Sequence, residues 1–398
     1  MPLTLDHPVH DLDPAIPTYD EGAVLRKHGP IVPVQLAEGV RAWATTTYDA
    51  TRTVLESHPH LSKDPAHWGA YRRGEIPAGF PLLPFIVGET MLTKDGADHL
   101  RLRRLVARAF TPKHIATLAP RVERLAGELL DGLDTGSVLD LKEQYAFPLP
   151  MRIISEFFGV TDPERQQVLR GHYATLLSAD ATGEQRQAAA LGLGDELTRL
   201  IEDKRRHPGD DLTSTLAAID DGDRLSEQEL RDTLQLILVA GHETTVNAIT
   251  TTIHALLTHP DQLALVRGGR HDWSAAFEAA LAWNGPFRNV YMRYATADTE
   301  IAGTRVREGE PIFVLLAFSD REAAERYDVT RPPKGHLAFG AGPHFCIGAP
   351  LARLEGAVAV GKLFTRFPDL RLAVAENELT PLISPAINGL TTLPVRLG

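Results

Sequence analysis

The sequence contains a single cysteine among its 398 residues. One cysteine excludes a disulfide within the chain, and it excludes zinc modules and iron–sulfur clusters that are held only by cysteines of this chain. Long apolar runs are also missing, because no segment approaches the roughly 18 residues of a membrane span. Residues 1–8 lack the basic and then apolar pattern of a signal peptide. We therefore expect a cytoplasmic protein without a membrane anchor.

Positive charge is in deficit, with 41 lysines and arginines against 52 aspartates and glutamates and a formal net charge of −11. Such a surface repels phosphates, which argues against a nucleic-acid-binding function. The hydrophobic fraction of 43% is ordinary and predicts a folded protein with a sizeable core. No linker, composition shift or internal repeat divides the chain, so we expect one domain over residues 1–398.

Hydrophobic periodicity predicts a mainly α protein with small β-sheets. Helical spacing dominates from about residue 96 to about residue 283, and β-rich parts are expected near 30–60, 285–315 and 370–398. Residues 32–36 and 40–44 flank Glu38 and Gly39, which predicts a hairpin. Residues 64–90 are rich in proline, glycine and aromatic residues and predict a long loop of the kind that often covers or lines a binding site.

The helix predicted from Ser226 contains an unusual polar segment. Ser226 and Glu229 form a capping-box pattern, and the apolar run 236–240 predicts a buried helix. It is followed by Gly241-His242-Glu243-Thr244-Thr245, although glycine costs about 1 kcal/mol inside a helix and buried polar groups need partners. Two interpretations stay open: a kinked helix with a satisfied polar cluster, or a helix facing a pocket in which an acid and an alcohol handle protons.

The lone cysteine lies in a glycine-rich segment, Phe339-Gly340-Ala341-Gly342-Pro343-His344-Phe345-Cys346-Ile347-Gly348. A helix is predicted just after it, near Pro350, and the N-terminus of a helix stabilises a thiolate. A single cysteine is often only a small buried hydrophobe. A nucleophile with His344 as its base is a second interpretation, whereas a nucleotide-binding loop is excluded because the third glycine and the preceding strand are missing.

The cysteine segment and the Ala240-Gly241-x-Glu243-Thr244-Thr245 segment together resemble the cytochrome P450 family of haem-thiolate monooxygenases. The resemblance extends over nearly the whole chain, through segments 99–104, 109–112 and 147–150 and through Arg293, and it is to soluble actinomycete members. It implies the cytochrome P450 fold, an α-rich part with a smaller β-rich region.

The resemblance also implies a cofactor and its partners. The cofactor would be haem b (iron protoporphyrin IX) with O2 as co-substrate, and Cys346 would be the axial ligand of the iron. Electrons would come from a separate ferredoxin and ferredoxin reductase, and the chain would act as a monomer on a hydrophobic small molecule. The reaction implied is a hydroxylation in bacterial secondary metabolism, with coupling as another outcome of the same chemistry.

Roles follow from the resemblance for individual residues. His99, Arg103, Arg293 and His344 would hold the haem propionates, Phe339 would shield the cysteine side, and Gly348 would let the backbone approach the ring. Ala240 and Gly241 would lie against the opposite face, Thr244 would hydrogen-bond to dioxygen or water there, and Glu243 would deliver protons. The predicted substrate contacts are Phe80, Leu83, Phe85, Ile86, Val239, His242, Phe287, Asn289, Val290, Ile387, Asn388 and Leu390.

The sequence departs from the family at one motif. Family members carry Glu-x-x-Arg about sixty residues before the cysteine, and the aligned positions here are Ala279 and Ala282. Glu278 is one residue out of register and is expected to face about 100° away, and Arg326, the third member of that network, needs another partner or solvent. Because loss of a whole ion network can be neutral, we expect haem binding to survive. The alternative is a haem-binding protein with weak or no turnover that acts in a protein complex.

Overall fold

The computed structural model describes residues 3–56, 58–177, 181–219, 224–323, 326–331, 335–384 and 386–398. Inside these ranges it describes the backbone but not the side chains of residues 84, 85, 177, 183, 290, 291 and 321–323. The helices are α1 (Thr18–Arg26), α2 (Tyr48–Leu55), α3 (Gly69–Arg72), α4 (Leu83–Ile86), α5 (Gly96–Ala107), α6 (Pro112–Thr117), α7 (Ala119–Asp131), α8 (Pro148–Phe157), α9 (Pro163–Leu177), α10 (Gly183–Arg206), α11 (Leu212–Ala217), α12 (Glu227–Thr258), α13 (Pro260–Arg267), α14 (Trp273–Asn284), α15 (Leu316–Ala323) and α16 (Ala349–Arg366). The strands are β1 (His10–Asp11), β2 (Ile31–Gln35), β3 (Arg41–Thr45), β4 (Leu61–Ser62), β5 (Leu139–Asp140), β6 (Val290–Ala295), β7 (Thr299–Ile301), β8 (Thr304–Val306), β9 (Pro311–Val314), β10 (Arg371–Leu372) and β11 (Pro394–Arg396).

Helix α12 runs through the middle of the helical part. It begins with the predicted capping box, since the Ser226 hydroxyl accepts from the Glu229 N–H and the Glu229 carboxylate accepts from the Ser226 N–H. The helix packs against α8, α10, α14 and α16 around one large apolar core. The predicted fold class, mainly α with small β-sheets, is confirmed. Among the described residues, the search for a helix with the length and apolar character of a membrane span finds none.

Among the described residues, the largest sheet has the strand order β1-β2-β3-β9-β6-β4. Its β2–β3 pair is the predicted hairpin, antiparallel with Val32 opposite Ala44. Strand β9 pairs with β6 in an irregular register that shifts between Val290 and Arg293. Such a bulge re-aims side chains, and Arg293 lies at its end. The remaining strands form a three-stranded sheet, β10-β11-β5, and the β7–β8 hairpin.

The segment 64–90, predicted as a long loop, contains the short helices α3 and α4 and packs its aromatic residues inward. Trp68 and Phe80 are buried, and the Trp68 ring stacks on the Tyr294 ring of β6 at a centroid distance of 5.6 Å. These contacts make both side chains part of the apolar cluster that covers the sheet.

Helix α15 carries a buried carboxyl group that makes stability depend on pH. Asp320 is 1% exposed, and its Oδ1 accepts from the Leu337 N–H. Burial raises the pKa of Asp320 from 3.8 to about 7. Between these values the native state keeps a proton that the unfolded state has lost, so the free energy of unfolding falls as the pH rises from about 4 to about 7, by at most about 1.4 kcal/mol per pH unit.

Asp320→Asn removes this titration and keeps an oxygen for the Leu337 N–H. We expect the variant to lose stability less steeply than the wild type between pH 5 and pH 7, as measured by urea unfolding at several pH values. Groups that titrate in both proteins cancel in the difference. Parallel stability curves for the two proteins would contradict this assignment.

Candidate active site

Cys346 lies in a tight loop that leads into α16. Gly342 has a φ of 69°, and a Cβ there would be 2.6 Å from the carbonyl oxygen of Leu55, so both the turn and the close approach require glycine. The Cys346 N–H donates to the Phe339 carbonyl oxygen at 2.8 Å, which closes the loop. Helix α16 begins at Ala349 with Pro350 in its first turn, as predicted.

The cysteine side chain faces a cavity of about 290 Å³. The opposite wall is α12, where Ala240, Gly241 and Thr244 line the space. Ala240 is exposed although its helix runs through the core, because its surface is cavity wall. Burial raises the pKa of the Cys346 thiol, whereas the N–H groups of Gly348 and Ala349 and the Arg103 charge act in the opposite direction.

Basic side chains gather at one edge of the cavity, and four of them line it: Lys63, Arg103, Arg293 and His344. His99 is buried beside them, with its ring centroid 4.2 Å from that of His344. Three of the five come from distant elements, since Arg103 is on α5, Arg293 is on β6 and His344 precedes the cysteine. The structure brings together all four residues predicted to hold propionates.

Asp95 is the carboxylate that joins this basic group. It accepts from His344 Nε2 at 2.8 Å, from the Ser62 hydroxyl at 3.0 Å and from the Lys63 N–H. Burial raises the pKa of Asp95, but these hydrogen bonds and the neighbouring charges outweigh it and bring the pKa to about 2. Burial lowers the pKa of Arg293 to about 10, and burial with neighbouring positive charge lowers the pKa of His99 and of Lys63.

These residues fit a haem. Arg293 is 5% exposed and His99 is 2% exposed, yet within the described part of the chain neither Arg293 Nη1 nor His99 Nε2 has a hydrogen-bond partner. Buried polar atoms without partners are costly, and the charged guanidinium groups of Arg103 and Arg293 favour anions beside them. Two carboxylates on the rim of a flat ring would supply both, while the ring itself would lie between Cys346 and α12.

The α12 wall carries the predicted acid and alcohol. Thr244 donates from its hydroxyl to the Ala240 carbonyl oxygen at 2.7 Å, and Thr245 donates in the same way to Gly241. The helix continues through this segment. Glu243 points away from the cavity to Asn247, whose amide nitrogen donates to Glu243 Oε2 at 3.2 Å. Lys142 in turn donates to the amide oxygen of Asn247 at 3.2 Å.

The predicted substrate contacts are not all at the cavity. Phe287 lines it, whereas Phe80 lies in the cluster that covers the sheet. His242 is fully buried, with Nε2 2.9 Å from the Phe147 carbonyl oxygen and its ring edge-on to Phe147 and Tyr173. These contacts do not support the polar anchor predicted for His242, which stays a prediction.

Three further predicted substrate contacts, at positions 387, 388 and 390, are not among the residues that line the cavity and stay predictions. Asn388 donates to Asn284 and to the Gly285 carbonyl oxygen, Ile387 forms a β-bridge with Phe287, and the Leu390 carbonyl oxygen accepts from Lys142. The side chains of Phe85 and Val290 lie outside the described residues. The remaining predicted contacts are buried or partly buried, are not among the residues that line the described cavity, and stay predictions: Leu83, Ile86, Val239 and Asn289.

Several residues that line the cavity were not predicted from the sequence, among them Lys63, Met91, Ile154 and Glu355. Lys63 and Asp95 belong to no sequence motif. Lys63 follows β4, which pairs with β6, and Asp95 accepts from Ser62 and Lys63 across 33 and 32 positions of sequence. Ile154 and Glu355 are ordinary members of amphipathic helices, so nothing in their spacing separates a cavity wall from the core.

Comparison with known proteins agrees with this geometry. The family model described as cytochrome P450 matches residues 180–267 and 286–384. The chain is 39% identical to 2-hydroxy-5-methyl-1-naphthoate 7-hydroxylase of Streptomyces carzinostaticus, covering 97% of both chains. It is 37% identical to 6-deoxyerythronolide B hydroxylase of Saccharopolyspora erythraea, covering 95% of this chain and 96% of that one.

The fold is equally close to a solved structure. CYP154C4 from Streptomyces sp. W2061 superposes with a TM-score of 0.91 at 40% identity, covering 98% of this chain and 97% of that chain. The chain therefore belongs to the cytochrome P450 family and is an oxidoreductase of its monooxygenase class.

Proposed function

We propose that this monooxygenase binds haem b at Cys346 and hydroxylates a hydrophobic small molecule in bacterial secondary metabolism. The observation that carries the proposal is the cavity between Cys346 and α12, which has a buried basic cluster at one edge and apolar walls above α12. The names of the two relatives support the substrate class, since one is a naphthoate hydroxylase and the other an erythronolide hydroxylase. Electrons would come from a separate ferredoxin and its reductase.

The residues that would hold the haem are those whose positions and charges suit its iron, its ring and its propionates. Cys346 would ligate the iron, Arg103, Arg293, His99 and His344 would hold the propionates, and Phe339 would cover the cysteine side. When bound, the haem would supply the activation of dioxygen and the oxidation itself. Asp95 keeps His344 in place through a hydrogen bond of 2.8 Å, so the propionate partners are oriented before the cofactor arrives.

The chain's own contribution on the α12 side is the handling of protons. The Thr244 hydroxyl donates its hydrogen bond to the Ala240 carbonyl oxygen. The hydroxyl oxygen of Thr244 can therefore still accept a hydrogen bond from a group in the cavity. Glu243, Asn247 and Lys142 form a hydrogen-bonded series behind it. We propose that this series holds and supplies protons for Thr244 to position, while the apolar wall, including Phe287 as a substrate contact, excludes water.

Thr244→Ala tests the role of the alcohol. We expect haem content to stay at the wild-type value and product formation to fall by on the order of a hundredfold, because general acid–base groups contribute at least that much. The measurement is product formed per reducing equivalent consumed with a surrogate ferredoxin system. Thr250→Ala is the matched control, since Thr250 makes the same bond to Val246 but is fully buried away from the cavity lining. Equal product yields from the two variants would contradict the assignment.

A substrate screen tests the proposal as a whole. The purified holoenzyme is titrated with aromatic carboxylic acids and macrolide lactones, and the haem spectrum reports displacement of water from the iron. Compounds that shift the spectrum are then offered as substrates with the surrogate ferredoxin system. Hydroxylated product supports the proposal, and spectral binding with reducing equivalents lost only to peroxide would overturn it in favour of a haem-binding protein without turnover.

A further inference from the structure

Glu278 lies on α14 immediately before Ala279, the first position of the missing Glu-x-x-Arg pair. Its side chain is 13% exposed and accepts from two partners. Arg353 of α16 donates from Nε at 2.6 Å and from Nη2 at 3.2 Å, and His336 Nε2 lies 2.9 Å from Glu278 Oε2. Arg326, by contrast, is exposed at the surface. The register shift thus gives Glu278 its own pair of basic partners.

This group of three is connected to the cysteine loop. The Arg353 guanidinium lies over the Phe339 ring at 4.5 Å from its centroid, and the His336 ring is 5.7 Å from the same ring. His336 Nδ1 also accepts from the Ala338 N–H at 3.2 Å. Phe339 in turn supplies the carbonyl oxygen that binds the Cys346 N–H. Glu278 is therefore three contacts away from the cysteine backbone.

Close packing of α14 on α16 holds this arrangement in register. A Cβ at Gly356 would lie 2.2 Å from the ring of Phe277, so the absence of a side chain at Gly356 lets that ring pack directly on α16. Glu278 follows Phe277 on α14, and Arg353 is one helical turn before Gly356 on α16.

The orientation of the Glu278 carboxylate is fixed by two donors of one side chain. Nε and Nη2 of Arg353 both donate to it, and such a paired geometry holds a carboxylate in one orientation. Burial raises the pKa of Glu278, but its hydrogen bonds to His336 and Arg353 outweigh burial and bring the pKa to about 2.

We propose that Glu278, His336 and Arg353 replace the missing pair and position the loop from Phe339 to Cys346 for haem ligation. Glu278 is a positioning residue, because it acts through His336, Arg353 and Phe339 and touches neither cofactor nor substrate. The inference rests on the proposed binding of haem at Cys346. It goes beyond that proposal, since it assigns the support of the ligand to three residues outside the motif.

The test compares two buried carboxylates, each held by two basic side chains. Glu278→Ala removes the proposed support, and Glu196→Ala is the matched control, since Glu196 is 6% exposed and pairs with Arg165 at 2.5 Å and Arg199 at 3.1 Å between α9 and α10. The readouts are the rate of haem transfer from the holoenzyme to apomyoglobin, the fraction of thiolate-ligated ferrous–carbonyl complex, and the urea midpoint of each apo protein.

We expect both variants to lose global stability, whereas only Glu278→Ala releases haem faster, on the order of 10- to 100-fold, as is typical when a group behind a metal ligand is lost. Its ferrous–carbonyl spectrum should also shift toward the form without thiolate ligation. Glu278→Gln keeps an acceptor for Arg353, and it should restore much of the slow haem release. Equal haem release from Glu278→Ala and Glu196→Ala at matched loss of stability would overturn the proposal.

A second variant keeps the test decisive if Glu278→Ala does not fold. His336→Leu removes one partner of Glu278 and leaves Arg353 in place, so we expect a smaller acceleration of haem release in the same direction. Unchanged release from His336→Leu would count against the proposal. Failure of the wild-type chain to bind haem through a thiolate would instead overturn the proposed function, so the two failures are distinguishable.

Discussion

Cys346→Ser is expected to abolish the red-shifted ferrous–carbonyl band that marks thiolate ligation, together with all product formation. Serine has nearly the size and shape of cysteine, but its hydroxyl does not ionise near neutral pH and cannot replace the thiolate as a ligand. The loop itself should persist, because the bond from the backbone N–H of residue 346 to the Phe339 carbonyl oxygen does not involve the side chain. The measurement is the carbonyl difference spectrum of the reduced protein beside its turnover.

The control for Cys346→Ser tests whether the variant keeps the wild-type fold. Circular dichroism and urea unfolding of the cofactor-free wild type and variant should agree, since Cys346 faces the cavity and is not part of the packed core. A carbonyl spectrum in the variant identical to that of the wild type would show that another group ligates the iron. It would also return Cys346 to the interpretation of a small structural side chain.

Arg288→Ala is expected to lower the free energy of unfolding by about 3–5 kcal/mol, the usual cost of leaving one charge of a buried pair without its partner. Arg288 and Glu21 are 5% and 4% exposed, and Arg288 Nη2 lies 2.8 Å from Glu21 Oε2. The guanidinium also donates to the carbonyl oxygens of Pro14, Asp13 and Ile16. Its loss would remove the charge partner of Glu21 and one donor from each of these carbonyl oxygens, where α1 meets the start of β6. The measurement is the midpoint and slope of urea unfolding.

The matched control is Arg305→Ala. Arg305 is bonded to Asp298 at the same 2.8 Å, but the two side chains are 76% and 53% exposed. Water and salt screen such a pair, so we expect its removal to change stability by less than about 1 kcal/mol. A similar loss of unfolding free energy for Arg288→Ala and Arg305→Ala would mean that burial does not set the strength of the ion pair between Arg288 and Glu21.

The parts of the fold that were predictable are those that local chemistry decides. The capping box of Ser226 and Glu229 requires only residues three apart, and the β2–β3 hairpin requires only a turn between two apolar strands. The loop of Cys346 is local as well, since its glycines and the start of α16 lie within a few residues of the cysteine. Each of these signals competes with few alternatives and is confirmed.

The parts that escaped prediction depend on contacts between distant segments. Glu278 contacts Arg353 across 75 positions of sequence and His336 across 58. Its position on α14 therefore indicated only that its side chain points away from the helix face that carries the motif. Trp68 and Phe80 have the composition of a binding loop, but they pack on the sheet, because burying a large ring against β6 removes more apolar surface from water than an open loop can. Substrate contacts were the least predictable, since apolar residues line cavities and cores alike.

Five basic side chains gather around the Asp95 carboxylate at one edge of the cavity: Lys63, His99, Arg103, Arg293 and His344. This arrangement affects which ligands the cavity favours. Two of these groups are the guanidinium groups of Arg103 and Arg293, which favour a negative charge beside them. A macrocycle that carries free acids on its rim would therefore gain binding energy that an esterified macrocycle of the same size and shape could not obtain. We expect the edge of the cavity to discriminate among porphyrins by their charge and the apolar walls to discriminate among them by their shape.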